Sequence, residues 1–246
     1  MSELKKKILV NGCGITFGSA SIKSWPKILA LLGKPVVNIS APAISNQWIV
    51  DRTAEYLLKN TDVDQVILQL TSIDKLDVEI DTVDKKQSLV EADTLRNFVW
   101  QGVWPSSVSQ EHVSKSLYYE YLYSPGLLTK ELAVKIAMLD FWCNAHNTTL
   151  HVYQGYKIPW TASDLELVSN IIKNIDYPWY YQYQTSDKYQ GHDYTDGNSV
   201  PCIEYAFDLA EQMAVELGLN FKKIAQLAQL HAQKHKSSGD IAVNMV

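Results

Sequence analysis

Cysteine and uninterrupted apolar sequence are both scarce in this chain. Its three cysteines, Cys13, Cys143 and Cys202, are spread over 246 residues. An odd number without metal-ligand spacing is neither a disulfide scaffold nor a zinc site, and it suits a reducing compartment. No run approaches the roughly 18 apolar residues of a membrane-spanning helix. The run Ile8-Leu9-Val10 that precedes Asn11 is too short for the core of a signal peptide. The expectation is a cytoplasmic protein with no membrane partner. An excess of basic charge is missing too: Lys and Arg total 22 against 27 Asp and Glu, for a formal net charge of -5. A nucleic-acid partner is therefore not expected, and Lys5-Lys6-Lys7 is a solvated lead-in to the first strand. With 46% hydrophobic and 20% charged residues and no linker-like stretch, the chain can bury one large core, so a single domain over 1–246 is expected.

What is present is organised around Ile8-Leu9-Val10-Asn11-Gly12-Cys13-Gly14-Ile15-Thr16-Phe17-Gly18. An apolar run that stops at Asn-Gly and continues through two more glycines predicts a buried strand ending in a tight turn. In open α/β sheets, ligands sit at such carboxyl ends. Ser24 to Gly33 follows with a Ser cap, a Pro in the first turn and a closing Gly, which predicts a helix. Lys34 to Ile39 reads as a second short strand. The polar turn from Ser40 to Asn46 leads into helical periodicity through Ile49, Thr53, Tyr56 and Leu57. Val63 to Leu70 is the third strand, nearly continuous in its apolar character, as a strand covered on both faces should be. It leaves through Thr71-Ser72-Ile73-Asp74-Lys75. Strand and helix alternating over short connections predict an α/β fold in three layers, α/β/α, with a flavodoxin-like parallel sheet. A strand order of 2-1-3-4-5 would bring the loops at 12–18 and 71–76 to one cleft.

The alternation breaks at about 77–126, where Phe98, Trp100, Trp104, Tyr118, Tyr119, Tyr121 and Tyr123 cluster. An aromatic-rich helical insertion is expected here. Two readings stay open: an aromatic wall that stacks on sugar rings or holds an acyl chain, or large side chains that pin short helices to the core. Leu127 to Asn147 predicts a long helix and Thr149 to Tyr153 a fourth strand. Ser163 caps a helix running to about Asn174, Tyr177 to Tyr183 suggests a fifth strand, and Ile203 to Leu217 a final helix.

These blocks, in this order, resemble the SGNH (GDSL) hydrolases, in the branch whose first block reads Gly-Cys-Ser followed by an aromatic, a Thr and a Gly. The resemblance spans residue 8 to about 217. It implies that the nucleophilic serine's place is taken by Gly14, which has no oxygen to attack an acyl carbon. Ala43 stands where a glycine N–H helps form the oxyanion hole, and Ser45-Asn46 matches the pair that follows. The third block would supply an Asn side chain, but none lies between Gln69 and Leu76, leaving Thr71, Ser72 or Asp74. The closing loop reads Asp196-Gly197-Asn198-Ser199-Val200-Pro201. Asp196 and Gly197 match, while Asn198 replaces the His that acts as general base, and an amide accepts no proton at neutral pH. His192 lies six residues upstream.

The site implied by the resemblance comprises Asn11, Cys13, Gly14, Ala43, Asn46, Thr71, Ser72, Asp74, Asp196 and Asn198, with no catalytic residue assigned. Cys13, Thr16 and Ser19 are the substitutes for the nucleophile. Cys13 should point to the far side of the turn, the usual setting of a buried structural cysteine. His231 and His235 have i, i+4 spacing but no third ligand nearby, so a solvated helix face is expected rather than a metal site, and no cofactor is expected. Gly12-Cys13-Gly14 is not a dinucleotide fingerprint, because Phe17 stands where the third glycine would be. Two functions remain. One is a catalytically silent relative whose cleft binds a glycan, an acyl group or a partner. The other is an active esterase on acylated sugars or small esters with an unrecognised nucleophile. Loss of either triad member alone costs several orders of magnitude in rate, which favours the first. The sequence does not fix the oligomeric state.

Overall fold

The computed structural model describes residues 6–17, 24–41, 44–81, 98–103, 123–176, 178–179 and 203–229. Strand β1 (Lys7–Gly12) is buried along almost its whole length, so it lies inside the sheet rather than at an edge. It is flanked by β2 (Val36–Asn38) and β3 (Val63–Leu70), and β6 (Thr149–Gln154) lies beyond β3. All three pairings are parallel, and the order β2-β1-β3-β6 reproduces the expected 2-1-3-4. From β1 the chain first steps outward to β2, then returns past β1 to β3. That reversal makes the carboxyl ends of β1 and β3 the switch point, where open α/β sheets form a crevice.

Alternate residues on each strand face opposite sides, as the pleat requires. Leu9, Val66, Leu68, Leu70, Leu150 and Val152 belong to one core, with Ile49, Val50 and Leu57 of α3 (Asn46–Lys59) and Leu132, Ile136 and Leu139 of α4 (Pro125–Ala145). Ile8, Val10, Ile67 and Tyr153 belong to the other, with Trp25, Ile28 and Leu29 of α2 (Trp25–Ala30) and Tyr205, Leu209 and Met213 of α6 (Ile203–Glu216). Two apolar cores separated by one sheet make a three-layer α/β/α fold. In the second core Trp179 stacks on Tyr153, with centroids 5.0 Å apart, and meets Trp25 edge-on at 5.9 Å. Tyr205 holds this stack in place by donating its hydroxyl to the Trp179 carbonyl at 2.6 Å.

Four local expectations change. The helix expected from Ser163 to Asn174 is the shorter α5 (Ala162–Val168), and its cap is Thr161 rather than Ser163. Thr161 and Asp164 close a capping box, so the start is fixed two residues earlier than the first Ser suggests. The helix also stops early, because Ile172 bridges to Val152 in parallel and Asn174 exchanges hydrogen bonds with the Gln154 backbone at 2.6 and 3.0 Å. This segment thus runs along β6; of the expected fifth strand at 177–183, only 178–179 are described, and neither is in a strand. In the expected helical insertion, the described backbone is extended: β4 (Leu76–Asp81) and β5 (Phe98–Val103) form an antiparallel ribbon. The remainder up to 122, including Trp104, Tyr118, Tyr119 and Tyr121, lies outside the described residues. Finally, Ser24 precedes α2 with extended dihedrals but makes no side-chain cap bond, while Gly33 closes that helix with φ of 91°.

Candidate functional site

The carboxyl end of β1 turns directly into α1 (Gly14–Phe17), so Gly14 opens a helical turn at the switch point. It is half-buried, and a Cβ added there would meet nothing within 4 Å. Its φ is not in the left-handed region, which among the described glycines is confined to Gly33 and Gly218. Nothing in the backbone requires glycine at this position, and no described residue fills the space above it.

The residues around Gly14 are, by contrast, tightly bound. Asn11 points into the layer of α3: its Nδ2 donates to Ile49 O at 2.9 Å and Thr53 Oγ1 at 3.0 Å, and its Oδ1 accepts from Gly12 N at 2.8 Å. Thr16 donates its hydroxyl to Gln69 Oε1 at 2.6 Å, joining α1 to β3. Asn46 opens α3 and clamps the β3 exit, accepting from Thr71 N at 2.7 Å and donating to Thr71 O at 3.0 Å. Ser45 caps the same helix by accepting from Trp48 N at 3.2 Å. Ser72 donates to Asp74 Oδ2 at 3.0 Å, and the other Asp74 oxygen accepts from the Tyr123 hydroxyl just ahead of α4. The Thr71 hydroxyl is buried and has no partner among the described residues.

Glycines make this polar frame possible at two positions. A Cβ at Gly12 would lie 2.6 Å from Thr16 Oγ1 and 2.8 Å from Gln69 Cβ. One at Gly155 would run into the Gln69 amide and lie 2.7 Å from Leu70 O, which accepts the Gly155 N–H at the same distance. Gln69 therefore occupies space that side chains on the two flanking strands would otherwise fill.

Of the expected site residues, Asn11, Cys13, Gly14, Asn46, Thr71, Ser72 and Asp74 gather at this one end of the sheet, along the exits of β1 and β3. The amides of Asn11 and Asn46 are committed to backbone and helix. Ala43, Asp196 and Asn198 lie outside the described residues, as do Ser19, His192, His231 and His235. Cys13 does face the far side of the turn, into the core shared with α3 and α4. Sequence reasoning missed Lys75. It is 7% exposed, and its Nζ approaches Cys13 Sγ to 2.6 Å. A lone lysine in a polar turn after a strand reads as solvated, and no spacing in the sequence points 62 positions back to a thiol. No group of three or more metal-ligating side chains is found among the described residues, nor is any described helix long and apolar enough to cross a membrane.

A parallel α/β/α protein with its switch point between β1 and β3 is what this fold and site define. No protein-family model and no curated protein matches the chain. Among solved structures it is similar to the psychrotrophic esterase EstA from Pseudoalteromonas sp., solved with monoethylphosphonate as inhibitor. The identity is 11%, the TM-score 0.48, and the match covers 87% of this chain and 97% of that one. It is also similar to TesA, at 14% identity and a TM-score of 0.42, covering 84% of this chain and 94% of that one.

Proposed function

We propose that this protein is a catalytically silent relative of the SGNH hydrolases that uses the cleft at the β1/β3 switch point to bind a glycan or an acyl group in the reducing interior of the cell. The observation that carries this reading is the open space over Gly14. The position that should present an attacking oxygen presents none, although a side chain would fit. Around it the polar groups hold the two strand exits in place. The Thr71 hydroxyl is buried without a partner among the described residues, and leaving such a group unpaired costs about 1–3 kcal/mol. A net charge of -5 argues against a nucleic-acid ligand.

One contact favours the second reading, an active esterase. Lys75 lies against Cys13, and a nitrogen beside the sulfur is the kind of neighbour that activates a thiol nucleophile. Against it, Cys13 is only 4% exposed and packs with Ala41, Ile44 and Ile73 in the core, where an acyl carbon has no route to the sulfur. The test pairs turnover with binding. p-Nitrophenyl acetate and butyrate should be hydrolysed no faster than in buffer, while short oligosaccharides or fatty acids should shift the tryptophan fluorescence saturably. Hydrolysis that disappears in Cys13→Ala would overturn silence. Absence of saturable binding to either panel would overturn the ligand class.

A further inference from the structure

Cys13 and Lys75 come from separate strand exits, 62 positions apart, yet Nζ lies 2.6 Å from Sγ and the two residues are 4% and 7% exposed. The thiol follows the last residue of β1, one residue before Gly14. The amine ends the β3 exit, one residue after Asp74, whose carboxylate holds Tyr123 at the foot of α4. An amine held against a sulfur and shielded from bulk water is placed to capture that sulfur once it is oxidised. Sulfenic acids are known to condense with a nearby thiol or nitrogen.

We infer that Cys13 and Lys75 form an oxidation-sensitive latch between the β1 and β3 exits, on the buried side of the turn, closing as a sulfur–nitrogen bond between their side chains. Hydrogen peroxide supplies the oxidising equivalents. The sulfur attacks one peroxide oxygen, the O–O bond breaks, Cys13 becomes a sulfenic acid, and the other oxygen leaves as water. The lone pair of the Lys75 nitrogen then attacks the sulfur. The S–O bond breaks, the oxygen leaves as a second water, and Nζ gives up one hydrogen. The sulfur has lost two electrons and the peroxide has gained them. A thiol such as dithiothreitol reverses the step by attacking the sulfur and expelling the amine.

Cys143 provides an internal contrast. It is fully buried, and burial first, with Asp140 second, pushes its thiol up to about 12. It therefore stays protonated at neutral pH, the form that reacts poorly with peroxide. The burial of Cys13 selects a reagent as small as peroxide over bulky alkylating agents. Closure would fasten the two loops that flank the open side of Gly14, so the latch acts on the cleft whether or not the cleft is catalytic.

The experiment treats the full-length protein with hydrogen peroxide, digests it with chymotrypsin without reductant, and maps the peptides by mass spectrometry. The expected product joins the Cys13 and Lys75 peptides, weighs two hydrogens less than their sum, and separates on dithiothreitol. It should be absent from Lys75→Arg and Cys13→Ser, each checked for native circular dichroism, and the oxidised wild type should melt at a higher temperature than the reduced one. The inference fails if Cys13 ends as sulfinic or sulfonic acid, if it is found in a disulfide with Cys143 or Cys202, if it stays unmodified, or if the same cross-link forms in Lys75→Arg.

Discussion

Asn46→Ala tests whether the β3 exit is fixed by the amide clamp. Asn46 is 4% exposed and Thr71 fully buried, and the side chain satisfies both the N–H and the C=O of Thr71 at 2.7 and 3.0 Å. Alanine leaves both groups buried without that partner. An unsatisfied buried polar group costs about 1–3 kcal/mol, so the pair amounts to roughly 4 kcal/mol at mid-range. For a chain of this size each kcal/mol shifts Tm by about 2–4 °C, which puts the expected drop near 10 °C. Gln47 makes the natural control, since it is the next residue on α3 but exposed, with its amide on Asp51. Gln47→Ala should change stability by less than about 0.5 kcal/mol. Thermal and urea unfolding of the two variants beside the parent is the assay. If Asn46→Ala melts within about 2 °C of the parent, water or a shifted backbone is satisfying Thr71, and the rigid-frame description of the site is wrong.

The glycines should separate by position. Gly12→Ala and Gly155→Ala force a methyl against Gln69 and should each destabilise by about 1–3 kcal/mol in urea, whereas Gly14→Ala should unfold like the parent or slightly above it. Equal effects at all three sites would refute the distinction. His151 is buried, neither ring nitrogen has a partner among the described residues, and burial, with Lys173 second, holds its pKa below the usual value. A depressed folded pKa means that the unfolded chain binds the extra proton first, so stability is fully present above about pH 6.5 and falls as pH drops below it. Urea midpoints at pH 7.5, 6.5 and 5.5 should fall in that order for the parent and more gently for His151→Phe; parallel curves would remove His151 as the cause.

Most of the parallel sheet was legible because its signals are local. The apolar runs of β1, β3 and β6 and the turn-to-helix exits of β1 and β2 leave little room for another topology, and the four paired strands take the expected order. The misreadings occur where tertiary contacts override local pattern. The helix after Thr161 stops at Val168 because Ile172 and Asn174 find partners on β6, and nothing in the segment's own periodicity records that competition. The expected helical insertion contains an antiparallel ribbon because strand pairing depends on a partner some twenty residues away. At the site, residue types were legible but commitments were not. Asn11 and Asn46 looked like groups facing a ligand and are instead bonded to helix and backbone, while Lys75 looked solvated and is buried against a thiol.

Those commitments say what kind of cleft this is. A purely structural strand end could be filled more cheaply with apolar side chains, since each buried amide or hydroxyl adds desolvation that its hydrogen bonds only partly offset. Here Asn11, Thr16, Asn46 and Gln69 are all buried within a few residues of the switch point, and Gln69 fits only where Gly12 and Gly155 lack side chains. Fully partnered networks of this kind fix geometry more than they add stability. The geometry they fix is the spacing of the β1 and β3 exits around Gly14, where a side chain would meet no described neighbour within 4 Å. If the proposed ligand binds there, rigid strand exits would help it, because a site already ordered loses less entropy when it is occupied. The same rigidity keeps Cys13 and Lys75 in contact, so redox closure and ligand entry would draw on one preformed arrangement of the two strand ends.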